Sequence, residues 1–446
     1  MVVSYDSVSS PSPRGNGEED ESCQTSLPHH RHPSYLSAGS GSRYSGWTPF
    51  ILAGLGITVA ILISFTPTLH QRSSLNSRLS AVPLLGKSNK SSKKNDVLSE
   101  KYDCESDPSY SKHTLKRAYD LPYAALFRDN RGQSKFEASD VTIVGNNVYS
   151  VCDSSWAISK FTRDLSPFSE ENIQIGHPNR INSEEDSGYE AIFEHDGLFY
   201  VVRESVYHSD HDSDGDDGSD SSGAGSGDYH AIIEELDLGE DDYTVVRECQ
   251  CEFVFEGDSK GFEGAVGFPD KDGSLYILGL CEGNYCSEER KNDVGHGRVV
   301  LMKKREEDGE DQDEGGASSC LWETVRVVHI PKSAAFLDYS AIDITANGRV
   351  AIASQEHGSV WLGHAVGISD GIIDPNAFEF VDDADSSSVL QFPKDGGCHT
   401  IYCNVEGVHF MNDEMLMAVS DKMKSKGRQD FRCHEKDQSI HAFVIP

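Results

Sequence analysis

The stretch Asn404–Asp421, NVEGVHFMNDEMLMAVSD, reads as a strand, a tight turn around Asn412-Asp413 and a second strand. Short runs of alternating apolar residues, broken by Asn, Asp and Gly, have the period of a β-hairpin. The same unit recurs four more times, at Ala138–Asp153, Gly188–Glu204, Phe262–Glu282 and Asp338–Glu356. In each, the first strand carries an oxygen-bearing residue at one fixed place: Ser139, Glu190, Glu263, Ser340 and Glu406. The second strand closes on an acidic or hydroxyl residue. A fivefold hairpin repeat constrains the fold more than any other feature of the chain, because repeated units bury their apolar faces on one another.

Successive anchors lie 51, 73, 77 and 66 residues apart. The two longest intervals contain acidic, Gly/Ser-rich insertions, 208–228 and 306–319, with no apolar residues to bury; they read as disordered loops. Without them the spacing is near that of a propeller blade, about 40–50 residues or somewhat more. Further strands are expected at His230–Leu238, Tyr243–Phe255, Arg298–Lys303, Leu321–Ile330, Ser359–Ala365, Val389–Phe392 and Ser439–Ile445. The last unit is one strand short, and Thr114–Leu121 can supply it, closing the ring without an open sheet edge. The expectation for 113–446 is therefore an all-β, five-bladed propeller with an N-terminal strand in the last blade. Six blades is the alternative and requires an anchor the sequence does not show.

The rest of the chain is of another kind. Residues 47–69, WTPFILAGLGITVAILISFTPTL, carry no charge and are long enough to cross a bilayer as one helix. Polar, low-complexity sequence flanks them: a disordered tail, 1–46, and a flexible stalk, 70–112. Nearby positive charges (Arg31 and Arg43 before, Arg72, Arg78 and Lys87 after) do not set the orientation. Cysteines do. Of 11, only Cys23 precedes the span, and ten follow it. Ten cysteines in a loop-rich domain suit an oxidising compartment. The sequon at Asn89 fits a lumenal stalk. The reading is a single-pass type II signal anchor of the secretory pathway or cell surface, with some cysteines bridged: Cys281 with Cys286, and Cys433 with Cys398 or Cys403.

The formal net charge of −35 excludes a generic nucleic-acid footprint, which needs a basic face. It suits cation binding. First strands line the channel of a propeller, so one repeated residue per first strand faces the axis from five sides. Three carboxylates and two hydroxyls there repel and lose hydration unless a cation joins them. A hard ion with six to eight oxygen ligands, Ca²⁺, fits such a set; the absence of Cys and His from it argues against zinc or copper. Asp140 is a further donor if the strand is bulged, and otherwise points to the opposite face. The alternative is that the five residues only hydrogen-bond neighbouring blades. Asp210-x-Asp212-x-Asp214-Gly215 imitates an EF-hand start, but the twelfth position is Ser221 and no flanking helices follow, so it reads as a solvated insertion. The basic run Lys422–Lys436 is a candidate for attracting an anionic substrate to one channel mouth.

The Ser–Glu–Glu–Ser–Glu pattern, the opening unit KFEASDVTIVGNNVYSVCD and the closing VEGVHF together resemble the calcium-activated nucleotidases (apyrases) over roughly 113–446. The units are similar, more weakly, to lactonase-like and phytase-associated esterase-like propellers. The nucleotidase resemblance implies a type II anchored protein with one channel Ca²⁺ and hydrolysis of nucleoside diphosphates. The chain departs from the family where paired Asp followed by Arg becomes Cys152-Asp153-Ser154-Ser155, and where Gly-Lys-Glu-Trp becomes Arg203-Glu204-Ser205. Arg203, Asp153 and Glu204 are the candidates left for handling a phosphoryl group. Against a hydrolase stands a non-catalytic ligand- or protein-binding propeller whose Ca²⁺ is structural.

Overall fold

The structure, a computed structural model, describes residue 104 and residues 110–178, 186–208, 228–257, 260–283, 286, 297–305, 320–382, 389–424 and 431–446. The tail 1–46, the span 47–69, Asn89, the EF-like motif and most of both acidic insertions lie outside these residues. Among the described residues no helix is long and apolar enough to cross a membrane.

The described chain is all-β, with only short 3-10 turns besides. Strand β1 (Lys116–Pro122) comes first and is used last. The first unit is the antiparallel sheet β2 (Ala138–Val144), β3 (Asn147–Cys152), β4 (Ser155–Thr162) and β5 (Ile173–Ile175). The second is β6 (Tyr189–His195), β7 (Leu198–His208), β8 (Asp228–Leu238) and β9 (Tyr243–Phe255). The third is β10 (Phe262–Pro269), β11 (Leu275–Cys281), β12 (Arg298–Arg305) and β13 (Leu321–His329). A short parallel pairing, Leu321 with Gln250 and Trp322 with Cys251, joins the second and third units into one eight-stranded sheet.

The fourth unit is β14 (Ala341–Ile344), β15 (Arg349–Ser354) and β16 (Ser359–Val366), followed by a two-stranded excursion of β17 (Ile368–Ser369) and β18 (Ile372–Ile373). Its outer edge is shared by β19 (Glu379–Asp382) and β20 (Val389–Gln391), which pair with opposite ends of β16. Only β20 was legible beforehand, because β19 is four residues long and half exposed. The fifth unit is β21 (Val405–Asn412), β22 (Met415–Ser420) and β23 (Ser439–Val444). Strand β1 pairs antiparallel with β23, Lys116 opposite Val444 through Pro122 opposite Ser439, as the strand count requires.

Consecutive sheets pack through apolar layers. Val151, Ile158 and Trp156 of the first unit meet Ile192 and Val201 of the second. Trp322 and Val300 fill the second layer, and Trp361 with Leu278 and Leu280 the third. Phe392, Tyr402 and Phe443 lie in the fourth. A last layer joins the fifth unit back to the first: Met417, Val419 and Ile440 against Val141, Val148 and Phe161. The first strands β2, β6, β10, β14 and β21 neighbour one another in that order, and β21 returns beside β2. This is a β-propeller-like arrangement. Each fully buried large apolar side chain contributes about 1.5–3 kcal/mol.

Covalent links reinforce the loops. Cys281–Cys286 and Cys403–Cys433 form as expected, and Cys249–Cys320 and Cys104–Cys398 add two more. Cys152 and Cys251 are free and buried. Cys104 and the turn Tyr110–Lys112, which fall in the expected stalk, are held on the domain by the bond to Cys398 and by the Tyr110 hydroxyl, which accepts from the Lys394 amide at 2.7 Å.

Candidate metal centre

The five anchors occupy one structural position, and it is an irregular one. Ladder pairing runs from Ala138–Cys152 to Asp140–Val151 and skips Ser139. It skips Glu190 between Tyr189–Arg203 and Ala191–Val202, Glu263 between Phe262–Cys281 and Gly264–Leu280, and Glu406 between Val405–Ser420 and Gly407–Val419. Ser340 stands just before β14, its amide donating to the Ala353 carbonyl at 3.0 Å. A bulge leaves its extra residue out of the ladder and re-aims the side chain. Four of the five anchors are therefore bulge residues.

The residue after each bulge must be small. A Cβ on Gly407 would lie 2.7 Å from the Asp140 Cα, and one on Gly264 would lie 3.0 Å from the Ile342 amide nitrogen. Ala191 and Ala341 are completely buried at the same place. Neighbouring first strands are thus in backbone contact where the anchors sit. Asp140 is the exception. Its carboxylate accepts from the Val141 amide at 2.8 Å and from the Ile192 amide of the next unit at 2.9 Å. Both oxygens are spent on backbone, and Asp140 faces a separate channel cavity of about 370 Å³ that also meets Thr142, Glu194, Asp343 and His409. It does not join the anchors. Asp343 ties β14 to β21 in the same manner, accepting from the Phe410 amide at 2.7 Å.

Ser139, Ser340, Glu190 and Glu406 are buried, and Glu263 is partly buried. Burial raises the Glu190 carboxyl well above the usual range, and the charges of Glu263, Glu204, Glu406 and Asp153 raise it further. Glu406 is raised in the same way, by burial and then by Asp421, with Glu263 and Asp153 adding to it. Glu263 is pushed up to about 8 by burial and then by Glu282. The Ser340 hydroxyl donates to the Val405 carbonyl at 2.8 Å, stitching the fourth unit to the fifth. The buried Ser139 hydroxyl has no hydrogen-bond partner among the described residues.

A second acidic tier surrounds the anchors. Asp153, Glu282 and Asp421 each follow the second strand of a unit, Glu204 lies within that strand of the second unit, and all four act electrostatically on the anchor carboxyls. Burial, then Asp421 and Glu137, push Asp153 up to about 7, and its Oδ1 is buried without a partner. Burial pushes Asp421 up to about 6. Two lysines answer this charge. The Lys424 ammonium is raised by Glu406, Glu263 and Asp421 against the opposing effect of burial, and Lys260 pairs with Glu282 at 3.0 Å.

This tier was written in the sequence as the acidic residue that closes each hairpin, but a closing residue in one unit shows no link to the anchor of another. Arg203 is placed elsewhere. Its guanidinium bonds the Ser187 carbonyl at 3.1 Å and Glu234 at 3.3 Å and stacks over Trp156, so it is committed inside the second unit.

Among the described residues no three His, Cys, Asp or Glu side chains stand close enough together to hold an ion as they are. The donor set nevertheless has the chemistry of a hard cation: oxygen only, three carboxyls whose ionisation burial and mutual charge oppose, and two buried acceptor-capable atoms, Ser139 Oγ and Asp153 Oδ1, without partners.

No protein-family model matches the chain, and no curated protein matches it. Solved structures similar to it include a luciferin-regenerating enzyme (8% identity over 75% of this chain and 95% of that one, TM-score 0.33). A GH43 β-1,3-galactosidase is 10% identical over 74% of this chain and 60% of that one, with a TM-score of 0.35. Virginiamycin B lyase from Staphylococcus aureus is 9% identical over 73% and 98%, with a TM-score of 0.29. At such identities and scores these likenesses say nothing about activity.

Proposed function

We propose that the chain is a five-bladed propeller that binds Ca²⁺ at Ser139, Glu190, Glu263, Ser340 and Glu406 and hydrolyses phosphorylated substrates such as nucleoside diphosphates. It would do so as a single-pass type II protein anchored by 47–69. The observation that carries the reading is that burial raises the carboxyls of Glu190, Glu263 and Glu406 on three separate first strands, with Glu263 and Glu406 raising Glu190 further and Glu263 raising Glu406. Such a set is stable ionised only with a cation among it. The unpartnered Ser139 hydroxyl supports the same reading, and the five anchor positions, four of them bulges, support the blade count.

Bound there, Ca²⁺ would polarise a phosphoryl oxygen and offset its charge. The remaining chemistry falls to the chain's own side chains. Asp153, whose Oδ1 has no partner and whose carboxyl is pushed up by burial in the cation-free chain, would take a proton from an attacking water, and a bound Ca²⁺ would favour its ionised, proton-accepting form. Lys424 and Lys260 supply the cations that Arg203 does not. Phosphate release from a panel of nucleotides, with Ca²⁺ and with chelator, tests the reading. Ca²⁺-dependent release from diphosphates is the expected outcome.

The commitment of Arg203 to Glu234 favours a second reading, a binding propeller with a structural ion. Ca²⁺-dependent stabilisation with no turnover on any nucleotide would select it.

A further inference from the structure

A pocket of about 580 Å³ lies at the seam where β1 closes on β23, away from the anchors. Three chain segments wall it: 110–117, 393–402 and 435–436. Four cations converge on it, Lys116, Arg117, Lys394 and Lys436, in a chain whose formal net charge is −35. The two carboxylates in its wall are already occupied. Asp395 accepts from the Gly397 and His399 amides at 2.8 Å and pairs with Arg432 at 3.0 Å; Glu435 pairs with the same Arg432 at 2.7 Å. Lys436 and Arg117 share Asp120, at 2.7 and 3.4 Å. Lys116 and Lys394 have no ion-pair partner among the described residues. Among the described residues that wall the pocket or pair with its walls, the balance is therefore positive.

The walls are also fixed in place. Cys104–Cys398 ties the first segment to the second, and Cys403–Cys433 ties the second to the third. The Leu115 amide donates to the Gln391 carbonyl at 2.9 Å, and the Gln391 amide donates to the His113 carbonyl at 2.8 Å. A preorganised concavity of this size takes a nucleotide- or disaccharide-sized molecule, and fixed cations select an anionic one.

We propose that this pocket binds a small molecule bearing a phosphate or sulfate group, held chiefly by Lys116 and Lys394. The site contains none of the anchor residues and does not depend on Ca²⁺. Because the ligand would contact β1 and the last unit together, it would also clamp the closure of the ring.

Calorimetric titration of the full-length chain in chelator, with inorganic pyrophosphate in one arm and a sulfated disaccharide in the other, tests this. Chelator removes any contribution of a channel cation, so the result stands apart from the Ca²⁺ reading. One or both ligands should bind and raise the melting temperature, and the arm that binds names the source. Affinity should fall at least tenfold in Lys116→Glu/Lys394→Glu, and fall likewise in Cys104→Ser/Cys398→Ser. If the double charge reversal melts below the wild type without ligand, Lys394→Gln alone replaces it, with a severalfold loss expected. No binding of either ligand at millimolar concentration, or unchanged affinity in a folded lysine variant, would overturn the proposal.

Discussion

Replacing Glu263 by Gln removes one charge from the anchor set and keeps its shape. The Glu263 carboxyl, ordinarily at 4.5, sits at about 8. At about 1.4 kcal/mol for each pH unit, this shift means that the cation-free fold loses roughly 4–5 kcal/mol of stability between pH 4.5 and pH 8. Between pH 4.5 and about 8 the folded chain holds a proton that the unfolded chain has released, so cation-free stability falls as pH rises across that window and is restored below it. Glu263→Gln removes the share of this dependence that Glu263 contributes, while Glu190 and Glu406 keep theirs. In chelator at pH 8 the variant should melt at least about 5 °C above the wild type, and the difference should vanish near pH 4.5. In Ca²⁺ the gap narrows: both gain stability, but the variant, short of a ligand charge, binds at least about tenfold more weakly and so gains at least about 1.4 kcal/mol less. Melting curves at several pH values in Ca²⁺ and in chelator read all of this. A variant less stable than the wild type in chelator at pH 8, with equal Ca²⁺ shifts for both, would refute the electrostatic argument and the metal centre together.

Gly407→Ala should destabilise by about 1–3 kcal/mol, because its Cβ would meet the Asp140 backbone at 2.7 Å. Gly396→Ala, with nothing within 4 Å, serves as a control expected to change stability by less than about 0.5 kcal/mol in denaturant titration. Asp120→Asn should cost about 1–3 kcal/mol, since Asp120 accepts from His441 at 3.0 Å and Tyr402 at 3.0 Å and pairs with Lys436 at 2.7 Å. Burial opposes its ionisation, but the His441 and Lys436 hydrogen bonds outweigh burial and hold the carboxyl well below its usual range. Its contribution is therefore complete above about pH 4 and lost below it, a loss that acid titration of the wild type should show and Asp120→Asn should lack. Asp153→Asn should reduce Ca²⁺-dependent phosphate release by 100-fold or more and remove the acid limb of its pH profile, while Ca²⁺ still raises the melting temperature. Protease added to intact microsomes should leave the 113–446 domain undigested; digestion from outside would reverse the proposed orientation.

The order of strands, the five anchors and the need for a closing strand were all legible in the chain, because each is written in local alternation and turn residues. The unit NVEGVHF…LMAVSD carries its strand, turn and strand within eighteen residues, and β1 was identifiable because the last unit was one strand short. Three-dimensional pairing decided the rest. That Ser139, Glu190, Glu263 and Glu406 are bulge residues follows from which partner faces which across each hairpin. That Asp140 spends both oxygens on backbone depends on the Ile192 amide, 52 residues away. Arg203 was a candidate for the phosphoryl group until Glu234 and Trp156 proved to hold it. The chain Ser420–His441–Asp120, with contacts of 2.9 and 3.0 Å, links residues up to 321 positions apart, and no periodicity announces it. Cysteine pairing divides the same way: Cys281–Cys286 spans five residues and was evident, whereas Cys104–Cys398 spans 294 and was not. A period of two is enforced by bonds between neighbours and survives in the sequence. Which side chains meet across the ring is set by how twisted sheets close on one another, and that information is spread over contacts no single stretch contains.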